Sequence, residues 1–293
     1  VTPTVICAGR LYADLIFTGL PHFPTLGTEI FADALGIHPG GGACITAAHL
    51  AANGCHPMLL STLPAPPYAE AILPTIQAFG IDTTLCKPTK KNTDPQITVA
   101  IIHDGDRAFL TRRVGPATPT PSLATMTAAK ATHLHIAELA TLVEQPNLLK
   151  RARRAGMTVS LDCSWNEAQF DLGIAALIKS VDIFFPNRLE LDALLNAGLT
   201  LPLAPVTVVK DGGKGATTYN SKGQWTAPAA RVKVADTTGA GDAFDAGYLA
   251  AWLQGKSPKA CLQAGHKSGA IAVKKSGGFG ALAPYKKPAG QSR

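Results

Sequence analysis

The chain is predicted to adopt an α/β fold built on a mostly parallel central sheet with helices on both faces. Three observations predict it. Apolar strand-like runs alternate with segments of helical spacing, the composition suffices for a full core, and polar or glycine-rich turns follow several of the runs. The strand-like runs are Val5–Ala8, Met58–Ser61, His133–Ala137, Thr158–Asp162, Asp182–Phe185 and Val206–Val209. Between and after them, helical spacing marks Ala43–Asn53, Ala69–Phe79, Asn147–Ala155, Arg188–Asn196, Ala240–Leu253 and Pro258–Lys274. In such sheets ligands bind outside the carboxyl ends of the strands, so the residues just after each run are the first candidates.

Two segments break the alternation. Leu15-Ile16-Phe17 and Glu29-Ile30-Phe31-Ala32 flank the turn Pro21–Pro24 and precede Pro39. Gln96–Ile102 and Ala108–Arg112 flank the turn Asp104-Gly105-Asp106 and read as a hairpin. Strands inserted between sheet elements predict a small separate β layer, or a pair of surface hairpins.

At 293 residues, 46% hydrophobic and 16% charged, the chain can bury the core of one large domain with an appendage. A formal charge of +7 favours anionic ligands weakly. No basic run carries interleaved aromatics, so nucleic-acid binding is not expected. Six scattered cysteines lack CxxC or zinc spacing and read as small buried hydrophobes in a reducing compartment. No apolar run approaches the roughly 20 residues that span a bilayer. No membrane partner is expected, and the expected location is the cytoplasm.

The densest information lies in Val234–Phe244. The turn Asp236–Gly241 passes into a helical segment starting near Ala240, whose free amides and dipole point back into the turn. That is an anion site suited to phosphate. Asp242, in the first helical turn, can take a proton from an attacking hydroxyl while the amides hold oxyanion charge. The same residue is also an ordinary stabilising acid at a helix N-terminus.

The string Asp236-Thr237-Thr238-Gly239-Ala240-Gly241-Asp242-Ala243-Phe244 closely resembles the C-terminal signature of the ribokinase-like PfkB carbohydrate kinases. The resemblance implies a ribokinase-like three-layer sandwich with a small β-sheet lid. Residues 1–10, 39–94 and 115–293 would form the α/β domain, and 11–38 and 95–114 the lid over the substrate. It implies ATP with Mg2+, Asp242 as catalytic base, and an anion hole from the amides of Gly239, Ala240, Gly241 and Asp242. The segment Gly212-Gly213-Lys214-Gly215-Ala216 lacks P-loop spacing.

Further positions match the family. Asp14, in Gly9–Asp14 after the first strand, would accept hydrogen bonds from sugar hydroxyls with Tyr12 beside it. Gly40 and Gly41, in Pro39-Gly40-Gly41-Gly42, resemble the N-terminal di-glycine signature, where bare backbone meets substrate. Many members place a sugar-binding Asn where this chain has Ile45, which puts ribose-type recognition in doubt. Glu138 matches a substrate-binding Glu. His133 and His135 alternate in the same strand and are assigned no role, and Asp162 faces the phosphate region or is a turn aspartate.

Asn187 and Glu190 match the motif that places Mg2+, largely through water. The pair is equally a capping box. Lys210, Gly212 and Gly215 fall where the family contacts nucleotide, with Lys210 neutralising phosphate or pointing to solvent, and His266 falls at the adenine edge. Asp236, Thr238, Ala272, Lys275 and Gly277 match a monovalent-cation site, for K+.

Arg10, Arg107, Arg112 and Arg113 lie in or beside the lid and suit recognition of a second anionic group on the sugar, or are exposed hairpin charges. The expected function is ATP-dependent phosphorylation of a sugar or sugar derivative, with a homodimer formed through the lid. The alternatives are a nucleoside kinase, with Tyr12, Phe17 and Phe31 cradling a base, and a non-catalytic sensor on the same fold. No GxGxxG follows the first strand, which argues against a dinucleotide oxidoreductase.

Overall fold

A computed structural model of the chain describes residues 2–90, 92–104, 106–164 and 172–284. Its main sheet has eight strands, in chain order β1 (Thr4–Ala8), β4 (His56–Leu60), β7 (His133–Ile136), β8 (Thr158–Asp162), β9 (Ile183–Phe185), β10 (Val206–Lys210), β11 (Ala216–Asn220) and β12 (Gly223–Ala227). Across the sheet they lie in the order β12-β11-β10-β9-β8-β7-β1-β4. From β4 to β10 all neighbours run parallel, while β11 and β12 add an antiparallel edge.

Side chains on these strands alternate between two cores. On β1, Val5 and Cys7 join one apolar cluster, and Ile6 and Ala8 join the other. Helices α1 (Gly42–Ala52), α2 (Tyr68–Ala78), α8 (Ala240–Leu253) and α9 (Pro258–Ala272) cover the first. Helices α3 (Leu123–Ala128), α4 (Leu139–Glu144), α5 (Asn147–Arg154), α6 (Leu172–Lys179) and α7 (Arg188–Asn196) lie on the second. The result is a three-layer sandwich.

A second sheet has the order β3-β2-β5-β6, from β2 (Tyr12–Thr18), β3 (Ala34–Gly40), β5 (Ile97–His103) and β6 (Asp106–Arg112). The hairpin expected over 96–112 is β5–β6; Gly105 of its turn lies outside the described residues.

The expected strand at Glu29–Ala32 is absent: the pairing segment is Ala34–Gly40, which runs through Pro39. Proline is a reliable stop only inside a sheet. On the edge strand β3 its missing N–H removes no ladder bond, so pairing with β2 continues to Gly40.

Chain order around β1 places the site. From β1 the chain builds β4 on one side and returns to lay β7 on the other, so β1/β7 is the switch point of the parallel sheet. The segments leaving their carboxyl ends bring Arg10, Ala137 and Glu138 to one crevice. The small sheet follows directly from β1 through β2. No helix among the described residues is long and apolar enough to cross a membrane.

Candidate active site

A cavity of about 230 Å3 occupies this crevice. The α/β layer contributes Arg10, Gly42, Ala43, Ala137, Glu138 and Ser164, and the small sheet contributes Tyr12 and Thr111, with Arg113 just beyond β6.

Asp242 approaches it from α8, on the same face of the main sheet as α1. Gly239 caps α8 in the left-handed region (φ 72°), and a Cβ there would lie 2.9 Å from both Gly278 Cα and Ile45 Cγ2. Only glycine fits both demands. Two residues on, the Gly241 amide has no backbone acceptor among the described residues, whereas the Ala240 and Ala243 amides donate to Thr237 and Gly239 carbonyls. The helix therefore presents donors and positive dipole at its start.

The Asp242 carboxylate lies against Gly42, where an added Cβ would sit 2.6 Å from Asp242 Oδ1 and 3.3 Å from Ala137 Cβ. Because Gly42 and Ala137 line the cavity, the missing side chain lets the acid reach its wall. Burial, reinforced by Asp162, pushes the Asp242 carboxyl up to about 7, while Lys210 pulls it down.

The expected sugar-binding residues divide. Glu138 faces the cavity, with Oε1 accepting from Thr141 Oγ1 at 2.8 Å and Oε2 lying 3.6 Å from Arg113 Nη2. The Tyr12 hydroxyl accepts from Arg113 Nε at 3.2 Å. Asp14 lies on the same face of β2 as Tyr12, and burial raises its carboxyl to about 7 against the opposing Thr98 hydrogen bond.

At Gly40 and Gly41 the direction a side chain would take is already occupied by the protein. A Cβ on Gly40 would meet Asp14 Oδ2 at 2.0 Å, and one on Gly41 would meet the Arg10 carbonyl at 2.1 Å. The protein itself fills those spaces, and the glycine that lines the cavity is Gly42. Ile45 points away from it, packing on Gly239 and Gly278.

The four arginines also separate. Arg10 is buried and donates to Gln96, the Gly115 carbonyl and Glu144, so it braces the crevice wall. Arg112 pairs with Asp94 on the surface at 2.8 Å. Arg107 donates to Asp236 and Thr237. Arg113 alone of the four brings a half-exposed guanidinium into the cavity lining, where Glu138 already faces it. Four arginines converging on one anionic group is not what forms.

Asn187 and Glu190 form the complete capping box of α7: Asn187 Oδ1 accepts from the Glu190 amide at 2.9 Å, and Glu190 Oε2 accepts from the Asn187 amide at 2.7 Å. No cluster of three or more His, Cys, Asp or Glu able to hold a metal occurs among the described residues. That donor set fits an ion that keeps most of its waters and binds chiefly through nucleotide oxygens, as Mg2+ does.

Lys210 points inward instead of to solvent. Its Nζ donates to Asp162 Oδ1 and Asp245 Oδ2, both at 3.0 Å, beside Gly241. Asp245 carries no family motif in the sequence. Its one legible signal is an acid within the otherwise apolar run Ala243–Ala250, broken only by Gly247.

Gly212 starts a short 3-10 turn, and Gly215 packs at φ 117° on the Ala227 carbonyl. His266 Nε2 donates to that carbonyl at 3.0 Å, and its ring stacks edge-on against Phe244. Burial lowers the imidazole, so it is neutral at pH 7. Asp236 ties Thr238 and the Gly277 amide together and meets Arg107, while Ala272 closes α9 and Lys275 is exposed beyond it. His133 and His135 are core residues bonded to Thr158 and Ser160.

Comparison with known proteins places this arrangement. The pfkB family carbohydrate kinase profile matches residues 4–283. The chain belongs to that family. An ATP-dependent ribose-1-phosphate kinase of Halopiger xanaduensis is 32% identical over 134 residues, 44% of this chain and 45% of that protein. The first such matches span about half the length of the curated relatives. A Rhizobium leguminosarum fructokinase is 27% identical across 84% of this chain and 78% of its own.

Among solved structures, the Methanocaldococcus jannaschii nucleoside kinase superposes with a TM-score of 0.79 at 20% identity, covering 96% of this chain and 95% of that one. A ribokinase II-type protein of E. coli in complex with ATP and Mg2+ gives 0.77 at 19%, covering 95% of each. Both show the ribokinase-like fold.

Replacing Asn187 by Ala removes one half of the box and should cost about 1 kcal/mol of stability in thermal or urea melts, whereas Asn187→Ser should restore most of it. Equal stability of wild type and Asn187→Ala would show that the cap carries no weight.

Proposed function

We propose that this protein transfers the γ-phosphoryl group of ATP to a hydroxyl of a sugar or sugar derivative. One observation carries the reading. A half-buried carboxylate, Asp242, lies in contact range of the cavity wall at Gly42 and belongs to the first turn of a helix in which the Gly241 amide has no backbone acceptor among the described residues. Base and oxyanion donors are thus provided by consecutive residues, Gly239 to Asp242.

In this reading Glu138, Tyr12 and Asp14 orient the sugar, Arg113 closes over it from the small sheet, and Asp242 accepts the proton of the attacking hydroxyl. Gly239, Ala240 and Gly241 shape the turn whose amides hold the developing charge. Gly212, Gly215 and His266 border the nucleotide, with Lys210 beneath the phosphates. Asn187 and Glu190 would place Mg2+, which when bound neutralises phosphate charge. A monovalent cation near Asp236, Thr238, Ala272, Lys275 and Gly277 would share the Asp236 carboxylate with Arg107. Residues 11–38 and 95–114 serve as the lid, with the rest of the chain as the catalytic body.

A sugar fits better than a nucleoside. Phe17 lies on the opposite face of β2 from Tyr12, and Phe31 is exposed, so neither cradles a base. The cavity of about 230 Å3 is below the usual range of pockets for drug-sized ligands and suits a monosaccharide. The deciding experiment is ADP release across neutral sugars, phosphorylated or acidic sugars, and nucleosides. Turnover of nucleosides alone would replace this reading with the nucleoside kinase, and sugar binding without any turnover would replace it with a sensor.

The outer face of the small sheet supports a homodimer. Ile37, Leu15, Val99 and Leu110 form one cross-strand row, and Leu35, Phe17, Ile101 and Ala108 the next. These rows hold no charge, so a second copy matches apolar surface to apolar surface, and Leu110 is 74% exposed without it.

Asp242→Asn should lower turnover on the order of 10²–10⁴-fold while ATP still binds by calorimetry. Near-normal turnover would exclude the base assignment. Because the base must be ionised, kcat/KM should fall as pH drops below about 7 and level off above it. Light scattering should give twice the chain mass, and Leu110→Glu should halve it; an unchanged mass for Leu110→Glu would remove this face as the interface.

A further inference from the structure

We propose that Lys210 is a positioning residue for Asp242. Its ammonium, locked between Asp162 and Asp245 beneath the first turn of α8, offsets the negative field on the base. The inference deepens the kinase reading and rests on Asp242 being the base.

Three carboxylates converge here: Asp162 from the end of β8, and Asp242 and Asp245 from α8. Asp162 is 6% exposed and Asp245 is fully buried. One ammonium serves them, with two hydrogen bonds of 3.0 Å fixing the end of a side chain that otherwise has four free rotors. A Cβ on Gly241 would lie 3.5 Å from Nζ, which puts the cation next to the turn that carries Asp242. The Phe185 ring, 5.9 Å from Nζ, lines the other side with apolar surface.

Other charged or titratable groups do not replace Lys210. Glu190 on α7 and Glu138 ahead of α4 add negative field. His135 on β7 is kept neutral by burial, and burial raises the Cys163 thiol, so neither supplies positive charge. Asp162 and Asp245 outweigh burial at Lys210 and hold it protonated. Buried like charges repel strongly when little solvent lies between them. Without the ammonium, the field of Asp162 falls undiminished on Asp242, which then keeps its proton at neutral pH and cannot act as a base.

A lysine at this point can also act by donating to the nucleotide phosphates, and the two roles differ in what they move. A phosphate ligand changes KM for ATP at every pH. A residue that positions the charge of Asp242 moves the acidic limb of the kcat/KM profile.

The test compares pH profiles of wild type, Lys210→Met, Lys210→Arg, Asp162→Asn and the Lys210→Met/Asp162→Asn double variant. Beside them runs a 13C-carboxyl NMR titration of Asp242, assigned with Asp242→Asn. Lys210→Met should move the limb up by about one pH unit, roughly a tenfold loss below neutrality, and Lys210→Arg should leave it near wild type. Asp162→Asn should move it down, and the double variant should lie below Lys210→Met.

A limb unmoved in Lys210→Met, with or without a raised KM for ATP, would overturn the proposal. If Lys210→Met does not fold, an Asp162→Asn limb at the wild-type position would do the same. The NMR titration needs no turnover. If the substrate screen fails, it still reads whether Lys210 displaces Asp242, which separates this proposal from the kinase reading.

Discussion

The constraint on which the site depends is steric: a side chain at Gly42 would displace the Asp242 carboxylate. The Asp242 carboxylate uses that space, approaching where a Cβ would be 2.6 Å away. Asp242 comes from the start of α8 and Gly42 from the start of α1, two helices packed on the same face of the sheet. Their N-termini meet above the β1/β7 switch point, where the parallel sheet leaves its crevice. The sheet topology fixes where the acid is, and the absent Cβ decides whether it reaches the cavity. Gly40 and Gly41 extend the principle, since they admit the Asp14 carboxylate and the Arg10 carbonyl.

Much of this was legible in the sequence wherever local chemistry and tertiary packing agree. The helix Ala240–Leu253 has the predicted bounds because a glycine turn, a dipole-favoured acid and apolar spacing coincide there. Strand Thr158–Asp162 and helix Arg188–Asn196 were equally plain, the latter because its cap is written in Asn187 and Glu190. What was not legible depends on partners distant in the chain. The short helices α3, α4 and α6 are too brief for their spacing to stand out, and the β11–β12 hairpin has little apolar alternation. Pro39 misled because its tolerance depends on β3 being an edge, a fact of topology. The arginines could not be sorted from sequence, because position beside the small sheet says nothing of Asp94, Glu144 or Asp236 waiting as partners.

The acidic cluster shows how function and stability compete at one place. Buried ion pairs are weak stabilisers, since desolvation offsets most of their attraction. Asp245 Oδ1 has no hydrogen-bond partner among the described residues, which adds a further cost. An apolar pair in place of Lys210 and Asp245 would pack the core at least as well. Retaining three acids and a lysine there despite that cost is what a use for their field at the neighbouring turn would require, and Asp242 is a group that feels it.

The small sheet is tied into the same field. Its inner face carries Tyr12 and Thr111 to the cavity, and its strand β6 also sends Arg107 to Asp236 and Thr237 in the turn before α8. Asp236 in turn accepts from the Thr238 and Gly277 amides, so one carboxylate joins the small sheet, the turn before α8 and the segment after α9. Any outward movement of β6 must break that junction before it uncovers the cavity. The geometry of the helix start and the seating of the small sheet above it are therefore set by shared contacts.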